Sequence, residues 1–158
     1  MVLRVGILGA ALLLGNMSFA QSYDELAGEL NSAAGKKDLH RLKARVADAA
    51  VGRLETETLS KTATEKLRAE VQTYCADVQL GAMDLWYGLS VVTWGRLMLH
   101  EGRWKEARSM LWDQAEVLQN IEKNLMANTI PVSSISPVAG CRFVLGETYR
   151  LEYETFQT

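Results

Sequence analysis

Cysteine, histidine and proline are scarce in this chain, with two of each among 158 residues. With only His40 and His100 available, a histidine-based metal cage or catalytic triad would need both and a long-range coincidence. The chain also lacks a Gly-x-Ser-x-Gly elbow, a glycine-rich phosphate loop and a His-Glu-x-x-His motif. His100-Glu101 is followed by Gly-Arg-Trp, with no second histidine in reach. No catalytic residue, metal or cofactor is therefore expected. The enzymatic option that survives is a small hydrolase using acidic residues. It would centre on Asp84 in its apolar neighbourhood, with His100 and Glu147 converging on it and Arg96 or Arg150 as its structural partner.

An excess of one charge is missing too. The balance is 17 Lys and Arg against 19 Asp and Glu, with the signs mixed along the chain. No basic stripe with interleaved aromatics occurs, which argues against a nucleic-acid partner. Long hydrophobic runs are absent as well. The apolar stretch from Val5 to Leu14 is too short to cross a bilayer, which takes about 20 residues. Arg4 precedes it, and Asn16 to Ala20 follows with Ser18 and Ala20 at the −3 and −1 positions of a signal-peptidase site. Residues 1–20 thus read as a cleaved secretory signal and 21–158 as the mature helical domain. Gln21, not Cys, follows the cut, so the expected product is periplasmic or secreted and not a lipoprotein. Asp84 and Arg96 bracket too short a clean apolar run around Leu85–Leu99, so no membrane span is expected there either.

Cleavage would remove one charge and leave 138 residues of net charge −3, enough for one domain with a core. The mature part has no Asn-x-Ser/Thr sequon, which suits a bacterial exported protein. In an oxidising compartment, the distant pair Cys75 and Cys141 is expected to form one disulfide. Closing that loop of 67 residues would restrict the unfolded chain by about 4 kcal/mol.

With both prolines, Pro131 and Pro137, in one region and no run of alternating polarity, the mature chain reads as helical almost throughout. Ser22-Tyr-Asp-Glu25 has the form of a capping box before Leu26 and Leu30. Asp38 is the expected cap of a second helix with Leu39, Leu42, Val46, Ala49 and Ala50 on one face. Thr62-Ala-Thr-Glu65 is the expected capping box of a third, which carries Leu67, Val71, Cys75 and Val78 inward. Whether helices 62–80 and 82–101 are continuous through Gly81 is left open. Leu85–Leu99 is apolar nearly all round, the pattern of a covered central helix. After a turn at Gly102, Trp104 to Met126 forms the next helix, with Trp104, Ala107, Leu111, Ala115, Leu118, Ile121 and Leu125 inward. Residues 127–136 form a loop. Ser136-Pro137 opens the last helix, with Cys141, Val144, Leu145 and Tyr149 on its core side. The expected fold is all-α: one compact bundle of five or six mostly antiparallel helices with one disulfide.

Gly81, Gly88, Gly95 and Gly102 are spaced seven apart. The first three should share one side of the central helix, as a groove for close packing or a ligand slot. Four tryptophans, Trp86, Trp94, Trp104 and Trp112, supply candidate anchors for a partner. Trp86 and its neighbour Tyr87, together with Arg108 and Trp112, are the partner-binding candidates.

Val91, Trp94, Gly95, Met98, Gly102, Ala107 and Leu111 resemble a tetratricopeptide repeat, with one repeat over about 91–118. Leu145-Gly-Glu-Thr-Tyr149 is similar to its first-helix pattern, a fragment over about 142–149. Met98 stands where the family usually has an aromatic, and the two glycines are 51 residues apart instead of 34. The resemblance implies antiparallel helix pairs and a protein-binding surface. The functional expectation is an exported, non-catalytic protein-binding module such as an adaptor, assembly factor or toxin-immunity protein acting by occlusion. Its partner would be another protein, with homo-oligomerisation left open. The alternatives are a small-molecule or lipid carrier, with the glycine groove and tryptophans lining its pocket, and the acidic hydrolase.

Overall fold

A computed structural model describes residues 21–33, 38–127 and 136–157; residues 1–20, on which the secretory-signal reading falls, and most of the loop expected over 127–136 lie outside the described residues. The described residues form six helices and no strand: α1 (Tyr23–Ser32), α2 (Leu39–Thr56), α3 (Lys61–Gln79), α4 (Leu85–His100), α5 (Trp104–Ala127) and α6 (Pro137–Phe156).

Helix starts follow local chemistry. Ser22 Oγ accepts from Glu25 N, and Ser22 N donates to the Glu25 carboxylate, the reciprocal capping box. The start of α3 differs from the sequence expectation. Ser60, not Thr62, caps the helix by accepting from Ala63 N at 3.2 Å. Asp38 precedes α2 in a left-handed conformation and makes no side-chain cap. Asp84 Oδ1 accepts from Trp86 N and Tyr87 N, which opens α4 and separates it from α3. Gly102, at φ 75°, closes the α4–α5 turn. Its N–H donates to Leu99 O and that of Arg103 to Met98 O, the pair of bonds that ends a helix at a left-handed glycine. Ser136 caps α6, with Pro137 at the first helical position.

The six helices lie in two layers. Asp48 and Glu55 of α2 face Thr93 and Arg96 of α4, and Gly88 and Gly95 of α4 face Pro137 and Val144 of α6. These pairs rise together in sequence, so α2, α4 and α6 run parallel, side by side. By contrast α3 runs against α4, with Arg68 beside Glu101, and α5 runs against both α4 and α6. Each odd-numbered helix lies across one or two of the even ones.

Helix α4 divides the interior into two main cores. On one side Val51, Leu54, Leu67, Val71 and Cys75 pack with Leu97. On the other, Tyr87, Val91 and Val92 pack with Leu111, Leu118, Cys141 and Val144. This division overturns the expected disulfide. Cys75 and Cys141 are both free and buried, in different cores. No Cα of α3 comes within 8 Å of any in α6, beyond the span of about 7 Å that a disulfide bridges. The intervening helix keeps them apart, because packed helix axes lie 8–10 Å from their neighbours.

Other inward assignments change as well. Leu39, Ala49, Trp104, Ala115 and Leu125 are only half-buried, and Tyr149 faces outward while Thr148 takes the core position.

Candidate functional site

The sequence-derived candidates fall into two places, and only one of them is a surface. Tyr87 is buried at the start of α4, where its hydroxyl donates to Gln114 Oε1 at 2.9 Å. Trp86 is half-buried against Ala44, Val78 and Leu89. Both therefore belong to the packing of α4. Arg108 and Trp112 instead lie one turn apart on the outer side of α5, beside α6.

Arg108 ties the two helices together. Its Nε donates to Thr148 Oγ1 at 3.0 Å, its Nη2 to the Thr148 carbonyl at 2.8 Å and its Nη1 to Glu152 at 2.7 Å. The guanidinium also lies over the Tyr149 ring, 3.9 Å from its centre, and over the Trp104 ring at 5.1 Å. Such cation–π contacts contribute about 0.5–2 kcal/mol each. With each of its three nitrogens bonded to α6, Arg108 is held in place at small cost in side-chain freedom.

Around this clamp the surface is aromatic. Trp112 is 56% exposed and donates from its indole N–H to the Tyr149 hydroxyl at 3.4 Å. Tyr149, Tyr153 and Phe156 follow one another up α6, and the last two are 65% and 82% exposed. An exposed aromatic group of this size, backed by a fixed arginine, has the composition of a protein-docking patch. Sequence reasoning found Arg108 and Trp112 but missed the α6 half. The legible signal was the spacing of Tyr149, Tyr153 and Phe156, which lines one edge of α6 away from Cys141, Val144 and Thr148.

The glycines do not form one continuous groove. Gly81 lies before α4 and backs onto the His40 ring. Gly88 admits the ring of Pro137, and Gly95 admits Leu111 and Val144. Gly140 returns the contact from α6 by admitting Val92. These are close helix approaches already occupied by side chains of the chain itself.

The acidic candidates are dispersed. Asp84 caps one end of α4 with His40 Nε2 3.7 Å away, and His100 is exposed at the other end. Glu147 pairs with Arg150 on α6. The expected pairing of Asp84 with Arg96 or Arg150 does not occur. Arg96 is instead held between α4 and α2, by Asp48 at 2.6 Å and by both oxygens of Glu55. Burial alone would lower its pKa, but Asp48 and Glu55 hold it above the usual arginine range. Desolvation also pushes the Cys75 thiol up to about 12, with Asp48 adding to the effect, so at neutral pH it is a buried, unreactive side chain.

Two surface depressions complete the picture. One, of about 390 Å³, opens beside Met98, Met110 and Asp113, and one of about 240 Å³ beside Glu70, Thr73 and Tyr74. Among the described residues no His, Cys, Asp and Glu side chains gather to hold a metal ion, and no helix is long and apolar enough to cross a membrane. No family model matches the chain, and no curated protein or solved structure is detectably similar to it.

Proposed function

We propose that this chain is an exported, non-catalytic helical module that binds another protein through the α5–α6 aromatic face and acts by covering it. The observation that carries the reading is Arg108, fixed to α6 and lying over the Trp104 and Tyr149 rings, with Trp112 exposed beside it. Aromatic and arginine side chains fixed before contact lose little freedom on binding, which is what concentrates affinity in a few residues. The pairing of α4 with α5 through Gly102, and the placement of α6 beside α4, fit the tetratricopeptide-like reading of 91–118 and 142–149. Export rests on the leader pattern ending at Ala20.

The test is affinity capture from periplasmic extract of the native host, with the purified protein as bait. A stoichiometric partner should be retained by wild type and lost with Trp112→Ala. Recovery of no stoichiometric protein would overturn the reading. Cell fractionation with N-terminal sequencing tests export, and an intact Met1 in the cytoplasm would refute it.

A further inference from the structure

The outer side of α6 carries a further pattern that shares Tyr149 with the Arg108–Trp112 face and runs the length of the helix. Ala139, Arg142, Gly146, Tyr149, Tyr153 and Phe156 are all exposed. They are spaced alternately three and four residues apart, the repeat of a coiled-coil seam. The inward side of the same helix holds Cys141, Val144, Leu145 and Thr148, so α6 presents two seams and the fold covers one.

The outer seam is self-complementary. Its spacing reads the same in both directions about the midpoint between Glu147 and Thr148. Two copies of α6 laid antiparallel would therefore form matched layers. Gly146, where an added Cβ would meet no other part of the fold within 4 Å, would meet the partner's Tyr149, and Ala139 would meet the partner's Phe156. Each layer pairs a small residue with a large aromatic one. In the layer between them Arg142 would face the ring of the partner's Tyr153, a cation against a π face. Each layer recurs on the other side of the two-fold axis, as an isologous interface requires.

We propose that the outer seam of α6 is a homodimer interface, in which the α6 helices of two copies pair antiparallel through these layers. The inference rests on the docking reading of the α5–α6 face and names one occupant for its α6 edge. The seam is about 27 Å long, from 1.5 Å of rise per residue. Trp112, exposed beside Tyr149, widens it. One helix pair buries less than a standard interface, so the dimer forms in a concentration-dependent way.

The experiment is sedimentation equilibrium of the purified protein across the micromolar range, for wild type and Gly146→Glu. Position 146 is open, so the substitution lowers neither helix content nor Tm while it fills and charges the seam. Wild type should move from monomer towards twice the monomer mass, and Gly146→Glu should remain monomeric. A wild type that stays monomeric throughout, or a Gly146→Glu variant that dimerises equally, overturns the proposal. Register is read by mixing Arg142→Cys chains with Tyr153→Cys chains under oxidation, since the native thiols are buried. Cross-linking in the mixture and not in either variant alone supports the antiparallel pairing; equal cross-linking in the separate samples overturns it. A monomeric wild type that still captures a stoichiometric partner through Trp112 removes the homodimer alone and leaves the docking reading standing.

Discussion

Arg96 Nη1 donates to Asp48 Oδ1 at 2.6 Å, and this pair joins the central helix to α2. Thr93 donates to the same oxygen, and Glu55 receives the other two guanidinium nitrogens side by side. The Arg96 side chain is 13% exposed and Glu55 14%, so the charges are held mostly out of water. Removing the arginine leaves two carboxylates without a counter-charge, and Arg96→Ala should cost about 3–5 kcal/mol. Urea unfolding followed by circular dichroism reads the loss. Converting Arg96, Asp48 and Glu55 together to apolar residues of similar volume should cost far less, because no charge is then stranded.

Substitutions at two helical glycines should have opposite signs. A Cβ at Gly88 would stand 2.7 Å from Pro137 Cγ, whereas one at Gly52 meets nothing within 4 Å. Alanine improves helix propensity by about 1 kcal/mol, while overpacking costs roughly 1–3 kcal/mol. Gly88→Ala should therefore lose up to about 2 kcal/mol. Gly52→Ala should gain up to about 1 kcal/mol. Thermal unfolding of the two variants measures both.

The separated thiols predict indifference to reductant. Tm should be the same with and without dithiothreitol, and two thiols should titrate only after unfolding, since both cysteines are buried. Any single thiol titrating in the folded protein, or a Tm drop on reduction, would contradict the structure.

Alkali should weaken the fold through Cys75. Below the ordinary thiol value of 9.0 both states keep the proton and pH has no effect through this group. Above it the unfolded chain releases the proton and the folded chain retains it, because burial raises the folded value to about 12. Stability should fall by about 1.4 kcal/mol per pH unit across that window. Tyr23 and Tyr74, both raised first by burial, act with the same sign. The shallower slope expected for Cys75→Ala isolates the thiol.

Trp112→Ala tests whether the aromatic face serves binding or stability. With its side chain more than half exposed, stability should change by less than about 0.5 kcal/mol. Partner affinity should fall by about 2 kcal/mol, a factor of roughly 30. Urea unfolding and titration calorimetry against the captured partner separate the two effects.

Much of the local structure was written into neighbouring residues. The capping box at Ser22 and Glu25, the left-handed turn at Gly102 and the Ser136-Pro137 start each depend on a few adjacent side chains. The inward faces of α2 and α3 were legible for the same reason, because apolar residues recur at helical spacing. Ser60 was missed because Ser60 and Thr62 both suit a cap, and the two lie within a single turn of each other. The site was half legible. Arg108 and Trp112 announce themselves by residue type, but Tyr149 looks like core until the width of the α5–α6 contact is known.

The sequence by itself determined that the chain is helical, where most of its helices begin and end, and that Cys75 and Cys141 are both buried, since each of these is settled within a turn or two of backbone. Only the tertiary structure decided which buried residues share a core. A helical period states that a residue faces inward without stating which neighbour it meets. Placing α4 between α3 and α6 separated the two sulfurs, gave Arg96 to Asp48 instead of Asp84, and turned the aromatic edge of α6 to the surface.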